Sequence, residues 1–235
     1  MRMTLLSIPA LLAVAACSQS ADETAPPPSE PASGQSGTEA TVSGPPRHIL
    51  AFGDSLFAGY GVGKEASYPA QLQAQLRQGG INAEIANAGV SGDTSAAGLQ
   101  RLAFTLDAQP QPPELVILEL GANDMLRGLD PEETRANLTA MLDELQSRGI
   151  PVLLMGMRAP PNYGAEYQRS FDSIYGDLAE REGVSLVPFW LETIYQRPEL
   201  FQSDRLHPTR EGLGLLAEAT KSAVVEALGP APSEP

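Results

Sequence analysis

Leu115-Val-Ile-Leu-Glu-Leu120, followed at once by Gly121-Ala-Asn-Asp124, is the stretch on which the fold turns. A run this short and almost continuously apolar suits a strand covered on both faces, in the middle of a parallel sheet. Working outward, Ile49 to Phe52 and Val152 to Met155 read the same way, and Val184 to Val187 is a fifth short strand. Ile81 to Ala86 differs: Ile81, Ala83 and Ile85 alternate with Asn82 and Glu84, as in a strand with one wet face. Helical patterns lie between the strands. Pro69 suits a helix start, with Leu72 and Leu76 on one face. Leu138, Met141, Leu142 and Leu145 form a stripe closed by Gly149, and Tyr167, Phe171, Ile174, Tyr175 and Leu178 form one closed by Gly183. Leu213, Leu216, Ala217, Thr220 and Val224 form the last. The alternation predicts one α/β domain of three layers, α/β/α, around a five-stranded parallel sheet. With the apolar strands inside and the alternating one outermost, the strand order is the flavodoxin-like 2-1-3-4-5.

The chain has 235 residues, a formal charge of −14, two histidines and one cysteine. That charge disfavours a nucleic-acid partner. A lone Cys17 excludes an internal disulfide, and with two histidines it argues against structural zinc. Arg2 followed by the apolar run Leu5 to Ala16 reads as a signal peptide over residues 1–16, too short to span a bilayer comfortably. Its ending, Val14-Ala15-Ala16-Cys17, resembles a bacterial lipobox, so a lipid anchor on Cys17 is expected. Residues 17–46 then read as a disordered linker: Ser18 to Pro46 is rich in proline and serine, with no aromatic residue and no Lys or Arg. The globular domain is expected over residues 47–228, with a disordered tail over 229–235. The expected location is the bacterial envelope, the domain tethered to a membrane and facing the periplasm or exterior. A soluble periplasmic or secreted form is the alternative.

In such a sheet the chemistry lies at the carboxyl ends of the strands. The first strand ends in Gly53-Asp54-Ser55-Leu56, the second in Asn87-Ala88-Gly89, and the third in Gly121-Ala122-Asn123-Asp124. A serine hydroxyl needs a base before it can act as nucleophile. His48 opens the first strand, which puts it roughly 17 Å from the carboxyl end at about 3.3 Å per residue. His207 is the remaining candidate, and Asp204 three residues earlier can reach its imidazole from a tight loop. The amides of Ser55 and Gly89 and the side-chain amide of Asn123 could converge on a developing oxyanion.

Gly-Asp-Ser-Leu, an asparagine–glycine block, Gly-x-Asn-Asp and Asp-x-x-His-Pro, in this order, resemble the SGNH (GDSL) hydrolase superfamily. The stretches GDTSAAGLQRL, ELGANDMLRG, PPNYGAEYQ and DRLHP resemble its multifunctional acyl-CoA thioesterase I/lysophospholipase/arylesterase group. The resemblance implies Ser55 as nucleophile, Gly89 and Asn123 in the oxyanion hole, and Asp204 with His207 as the supporting dyad. It implies an enzyme without cofactor or metal that cleaves carboxylic esters or thioesters, small or lipid, through an acyl-enzyme, and a monomer is expected. An acetyl esterase of envelope polysaccharide is the second reading. An inactive lipid- or glycan-binding lipoprotein is the third. Gly59-Tyr-Gly-Val-Gly-Lys64 lacks the spacing of a nucleotide-binding loop and is expected beside the site. Phe57 excludes the Gly-x-Ser-x-Gly elbow. Asp54 is expected to tie loops together, and Trp190 to lie in the core. Met125, Leu126, Met157 and Pro160 read more readily as core than as the lining of an acyl pocket.

Overall fold

The computed structural model describes residues 42–231. Five strands, β1 (Arg47–Gly53), β2 (Ala83–Gly89), β3 (Leu115–Glu119), β4 (Val152–Met155) and β5 (Val184–Val187), pair in parallel in the order β2-β1-β3-β4-β5. Among the described residues seven α-helices accompany them: α1 (Ser55–Ala58), α2 (Tyr68–Gln78), α3 (Ser95–Asp107), α4 (Ala122–Leu126), α5 (Pro131–Ser147), α6 (Ala165–Leu178) and α7 (Arg210–Leu228). The predicted sheet and its order are the observed ones. β3 and β4 are buried at every position, whereas β2, at the edge, is mostly accessible.

Several details differ from the pattern-based reading: β1 extends to Arg47–Gly53, and the short helices α1 and α4 follow the first and third strands. β2 begins at Ala83 and runs on to Gly89, because Gly79 and Gly80 turn the chain first and pairing opens only at Arg47 with Ala83. An edge strand tolerates the polar Asn87 near its end. Helix α3 was not expected: small residues fill its first turn, and its buried side are Gly98, Leu102 and Leu106. Thr94 caps it by accepting the Ala97 amide at 3.3 Å. Helix α6 ends at Leu178, so Gly183, with φ of 77°, belongs to the turn into β5 and not to the helix end.

Register brings the functional segments together. Gly53 pairs with Gly89 on one side and with Glu119 on the other. The chain then turns sharply into α1, whose backbone lies against β2. A Cβ on Gly89 would stand 2.8 Å from the Phe57 carbonyl carbon, inside contact distance, so only glycine lets α1 sit this close. Phe57 locks α1 down by stacking on Tyr68 at 5.0 Å and meeting the edge of the buried Trp190 at 5.5 Å.

At the other end of β1, Arg47 closes the domain. Its guanidinium donates to Glu114 Oε2 at 2.8 Å and to the Leu228 carbonyl at 3.0 Å, while Glu114 also accepts the His48 amide. The last carbonyls of α7, orphaned by the helix end, are thereby satisfied. Arg47→Ala should lower the unfolding free energy by about 1.5–3 kcal/mol, the range for charged hydrogen bonds, and leave kcat and KM unchanged. Urea unfolding with steady-state kinetics checks this. A wild-type midpoint would mean that packing alone holds the end of α7.

Candidate active site

Ser55 is the first residue of α1 and 9 % exposed. Asp54 caps that helix: its Oδ1 accepts the Leu56 amide at 2.9 Å. The Ser55 amide stands at the helix N-terminus with no acceptor among the described residues. The Ser55 hydroxyl lies 2.9 Å from His207 Nε2, and His207 Nδ1 lies 2.7 Å from Asp204 Oδ2. Asp204 Oδ1 accepts two backbone amides, Leu206 at 2.9 Å and His207 at 3.0 Å. Its slight burial opposes ionisation. The His207 and Leu206 amides and the imidazole outweigh that and hold its pKa at about 2. Arg205, between them, has φ of 58°, the one positive φ outside glycine among the described residues.

The loop Gly59 to Lys64 lies beside the site, as expected, with the Tyr60 ring 4.2 Å from the imidazole, centroid to centroid. Gln202 braces the arrangement: its amide donates to the His207 carbonyl at 2.7 Å, and its side chain donates to the carbonyls of Tyr60 and Pro208 at 2.9 Å. His48 sits at the amino end of β1, against Glu84 and Gln111 and remote from Ser55.

Asn123, at the second position of α4, reaches the same place. Its side-chain nitrogen donates to Asp54 Oδ2 at 2.8 Å and to the Asp93 carbonyl at 2.9 Å, so both protons are engaged. The Gly89 amide donates to Asn87 Oδ1 at 2.9 Å. The missing Cβ of Gly89 serves its closeness to α1. Asp54 is almost fully buried and ties the ends of β1 and β3 together, the loop-tying role expected of it.

Sequence reasoning missed several supports. Asn87 donates to the Phe57 carbonyl at 2.8 Å. Arg101 pairs with Asp93 at 2.6 Å and donates to the Gly53 carbonyl at 2.9 Å, fixing the loop whose carbonyl Asn123 uses. Asp124 is buried and accepts the amide and hydroxyl of Ser95 at 2.8 and 2.5 Å. The fully buried Glu119 was passed over within an apolar run.

A cavity of about 510 Å³ opens beside Ser55 and His207. Met125, Leu126, Met157 and Pro160 all line it, with Phe189 and Leu191. The core assignment holds for Met125 and Met157, which are nearly buried, but all four face the cavity as well. No group of three or more His, Cys, Asp or Glu among the described residues is placed to hold a metal ion.

Residues 51–214 match the GDSL-like lipase/acylhydrolase family. A crystal structure of AlinE4, an SGNH-hydrolase family esterase, is 62 % identical, covers 80 % of this chain and all of its own, and superposes with a TM-score of 0.68. An arylesterase of Vibrio mimicus is 41 % identical over 180 residues, 77 % of this chain and 89 % of the relative. The thioesterase 1/protease 1/lysophospholipase L1 of Escherichia coli is 38 % identical over 170 residues, 72 % of this chain and 79 % of the relative. The strand order, the contacts from Asp204 through His207 to Ser55, and these similarities agree: the chain belongs to the GDSL-like lipase/acylhydrolase family.

Proposed function

We propose that Ser55 is the nucleophile of this serine ester hydrolase, with His207 as its general base and Asp204 as the group that orients the imidazole and stabilises its protonated form. One observation carries the reading: the unbroken contacts from Asp204 Oδ2 through both ring nitrogens of His207 to Ser55 Oγ, beside an apolar cavity. In this reading Oγ attacks the ester carbonyl while His207 Nε2 takes its proton. Collapse of the tetrahedral adduct expels the alcohol or thiol, which takes the proton back from His207. Water activated by the same imidazole then frees the acid. The ionised Asp204 stabilises the imidazolium at each step. The serine and the aspartate replaced by alanine in two variants of the AlinE4 esterase are separated by the same number of residues as Ser55 and Asp204, which supports both roles.

Three donors are proposed for the oxyanion. The Ser55 amide is the one prepared to donate at once. The Asn123 nitrogen and the Gly89 amide are held by the Asp93 carbonyl and by Asn87 Oδ1. An oxyanion competes for those protons with an advantage, since bonds to a charged acceptor are roughly twice as strong.

The cavity points to the substrate. About 510 Å³ with mostly apolar walls exceeds the needs of an acetyl group and suits a medium acyl chain or an aryl group, in an ester or a thioester. Relatives named arylesterase and thioesterase/lysophospholipase support this over a polysaccharide acetyl esterase. The intact acid–base contacts disfavour a mere binding protein.

We further propose that Cys17, which lies outside the described residues, is the lipidated N-terminus of the mature protein, and that the linker of residues 17–46 joins it to the domain of residues 47–228. A flexible linker of that length spans roughly 30 Å, enough to hold a catalyst clear of a membrane in the envelope. The support is the small-residue ending before Cys17 and the proline- and serine-rich segment after it.

Ser55→Ala should abolish hydrolysis of nitrophenyl esters and labelling by a fluorophosphonate, with an unchanged circular dichroism spectrum. Turnover surviving in the folded variant would sink the assignment. Asn123→Ala should lower kcat by roughly 10²–10³-fold with a smaller change in KM, the loss expected of an oxyanion donor. A wild-type kcat would leave the hole to the two backbone amides. Cys17→Ser should move the protein from the membrane to the soluble fraction at unchanged specific activity, and mass spectrometry of the wild-type N-terminus should find acyl chains. An unacylated cysteine would refute the anchor.

A further inference from the structure

Behind the nucleophile, and unused in the mechanism above, sits a second carboxyl group. Glu119 is the last residue of β3 and fully buried. Its side chain crosses Gly53: a Cβ there would stand 2.9 Å from Glu119 Oε2, so the glycine before Asp54 makes room for this carboxyl. Oε2 accepts the Asp54 amide at a long 3.3 Å, and Oε1 has no partner among the described residues. Glu119 Oε2 thus meets the backbone of Asp54, and the two acids are buried side by side.

Two carboxylates buried side by side repel each other and are each penalised by burial, which favours a proton on one of them. Their surroundings decide which. Burial raises the Asp54 carboxyl too, but Asp54 accepts the Leu56 amide and the Asn123 nitrogen and lines the same cavity as His207, all of which favour its charge. Glu119 has one long bond and pairs with no Lys, Arg or His among the described residues. The other titratable group facing it, Tyr175 of α6, gives its hydroxyl proton to the Leu120 carbonyl at 2.9 Å. Asp124 and Asp172, which bear on Tyr175, add only negative charge.

We propose that Glu119 is a positioning residue for hydrolysis: a proton-bearing acid that donates to Asp54 and thereby holds the Ser55 turn and the Asn123 amide in place. Burial, then the Asp54 charge, push the Glu119 carboxyl well above the ordinary 4.5, in keeping with this state. Asp54, freed by that proton to remain an acceptor on every side, can bind Leu56 and Asn123 at once. The proposal rests on the hydrolase reading for its kinetic consequence, but not for the protonation state.

Two measurements test it. In kinetics on a soluble nitrophenyl ester, Glu119→Leu, with no donor, should lose kcat by on the order of 10²-fold with KM nearly unchanged, since misplacement of about 1 Å costs that much. Glu119→Gln, whose amide can still donate to Asp54, should restore kcat to within about threefold of wild type. A wild-type kcat in the leucine variant, or a glutamine variant as poor as a folded leucine variant, would overturn the positioning role. The second measurement needs neither activity nor the leucine variant. A raised carboxyl stabilises the fold fully below pH 4.5, and that contribution is lost as pH rises toward its folded value. Between pH 4.5 and 8, wild-type Tm should therefore fall relative to that of Glu119→Gln by a widening margin. Parallel Tm curves over that range would show Glu119 ionised in the native state and refute the proposal. Loss of hydrolysis dependence on Ser55 would instead strike the hydrolase reading and leave the Tm result standing.

Discussion

The carboxylate of Asp54 is the point through which the site is assembled. One oxygen caps α1 through the Leu56 amide and so sets where the Ser55 side chain begins; the other holds the Asn123 nitrogen from the neighbouring strand end. A carboxylate this deeply buried is costly unless every lone pair is used. The fold meets that demand with the Leu56 amide and the Asn123 side-chain amide and, under the proposal above, with the facing Glu119 acid. Everything else at the end of the sheet is arranged around this small polar island in an apolar core. Gly53 leaves space for Glu119, Gly89 lets α1 lie flat on β2, and Arg101 pins the Asp93 loop whose carbonyl completes the Asn123 bonds.

Much of this was legible in the sequence because burial writes itself in hydrophobic pattern. β3 and β4 are buried at every residue and read as unbroken apolar runs; β2 is an edge strand and alternates. That contrast puts β2 at an edge and fits the observed order, in which β1 and β3 are neighbours and bring Ser55 and Asn123 together. His207 followed by elimination, since the strand geometry removes His48. What escaped was whatever pattern does not encode. Helix α3 opens on Ser95-Ala-Ala-Gly98, residues too small to make a stripe, because Gly98 lies where Leu120 and Phe52 press against the helix. Glu119 was hidden for the opposite reason: one acid in a run of five buried residues looks like an interruption until its neighbour Gly53 is seen to make room for it.

The occupied donors at Asn123 and Gly89 were also beyond the sequence, because their acceptors, the Asp93 carbonyl and Asn87 Oδ1, are set by loop geometry. Engaged donors carry a physical advantage. Internal acceptors hold each donor in direction, through a partly buried bond at Asn123 and an exposed one at Gly89. In the proposed oxyanion role, a charged transition state draws these protons away more strongly than a neutral ester carbonyl does. Under that proposal, discrimination between ground state and transition state is built into the resting bonds.

Asp204 and His207, by contrast, come as one local unit. Asp204 binds the backbone of His207 and its ring together, within a turn of four residues that needs a left-handed Arg205. That conformation is unfavourable for a side chain with a Cβ, by roughly 1–2 kcal/mol, and is held by the two amides that Asp204 accepts. Because the pair is prefabricated, only one distance has to be fixed by tertiary structure, the 2.9 Å from His207 Nε2 to Ser55 Oγ. Three contacts fix it: the bridge of Phe201 with Pro208, the Gln202 bonds to both loops, and the Tyr60 ring against the imidazole. Tyr60 and Gln202 belong to loops and not to the sheet. Ser55 and Asn123 are therefore held at the ends of the sheet, and His207 by a clasp between two surface loops; under the proposed mechanism, loop contacts govern proton transfer while the sheet governs attack.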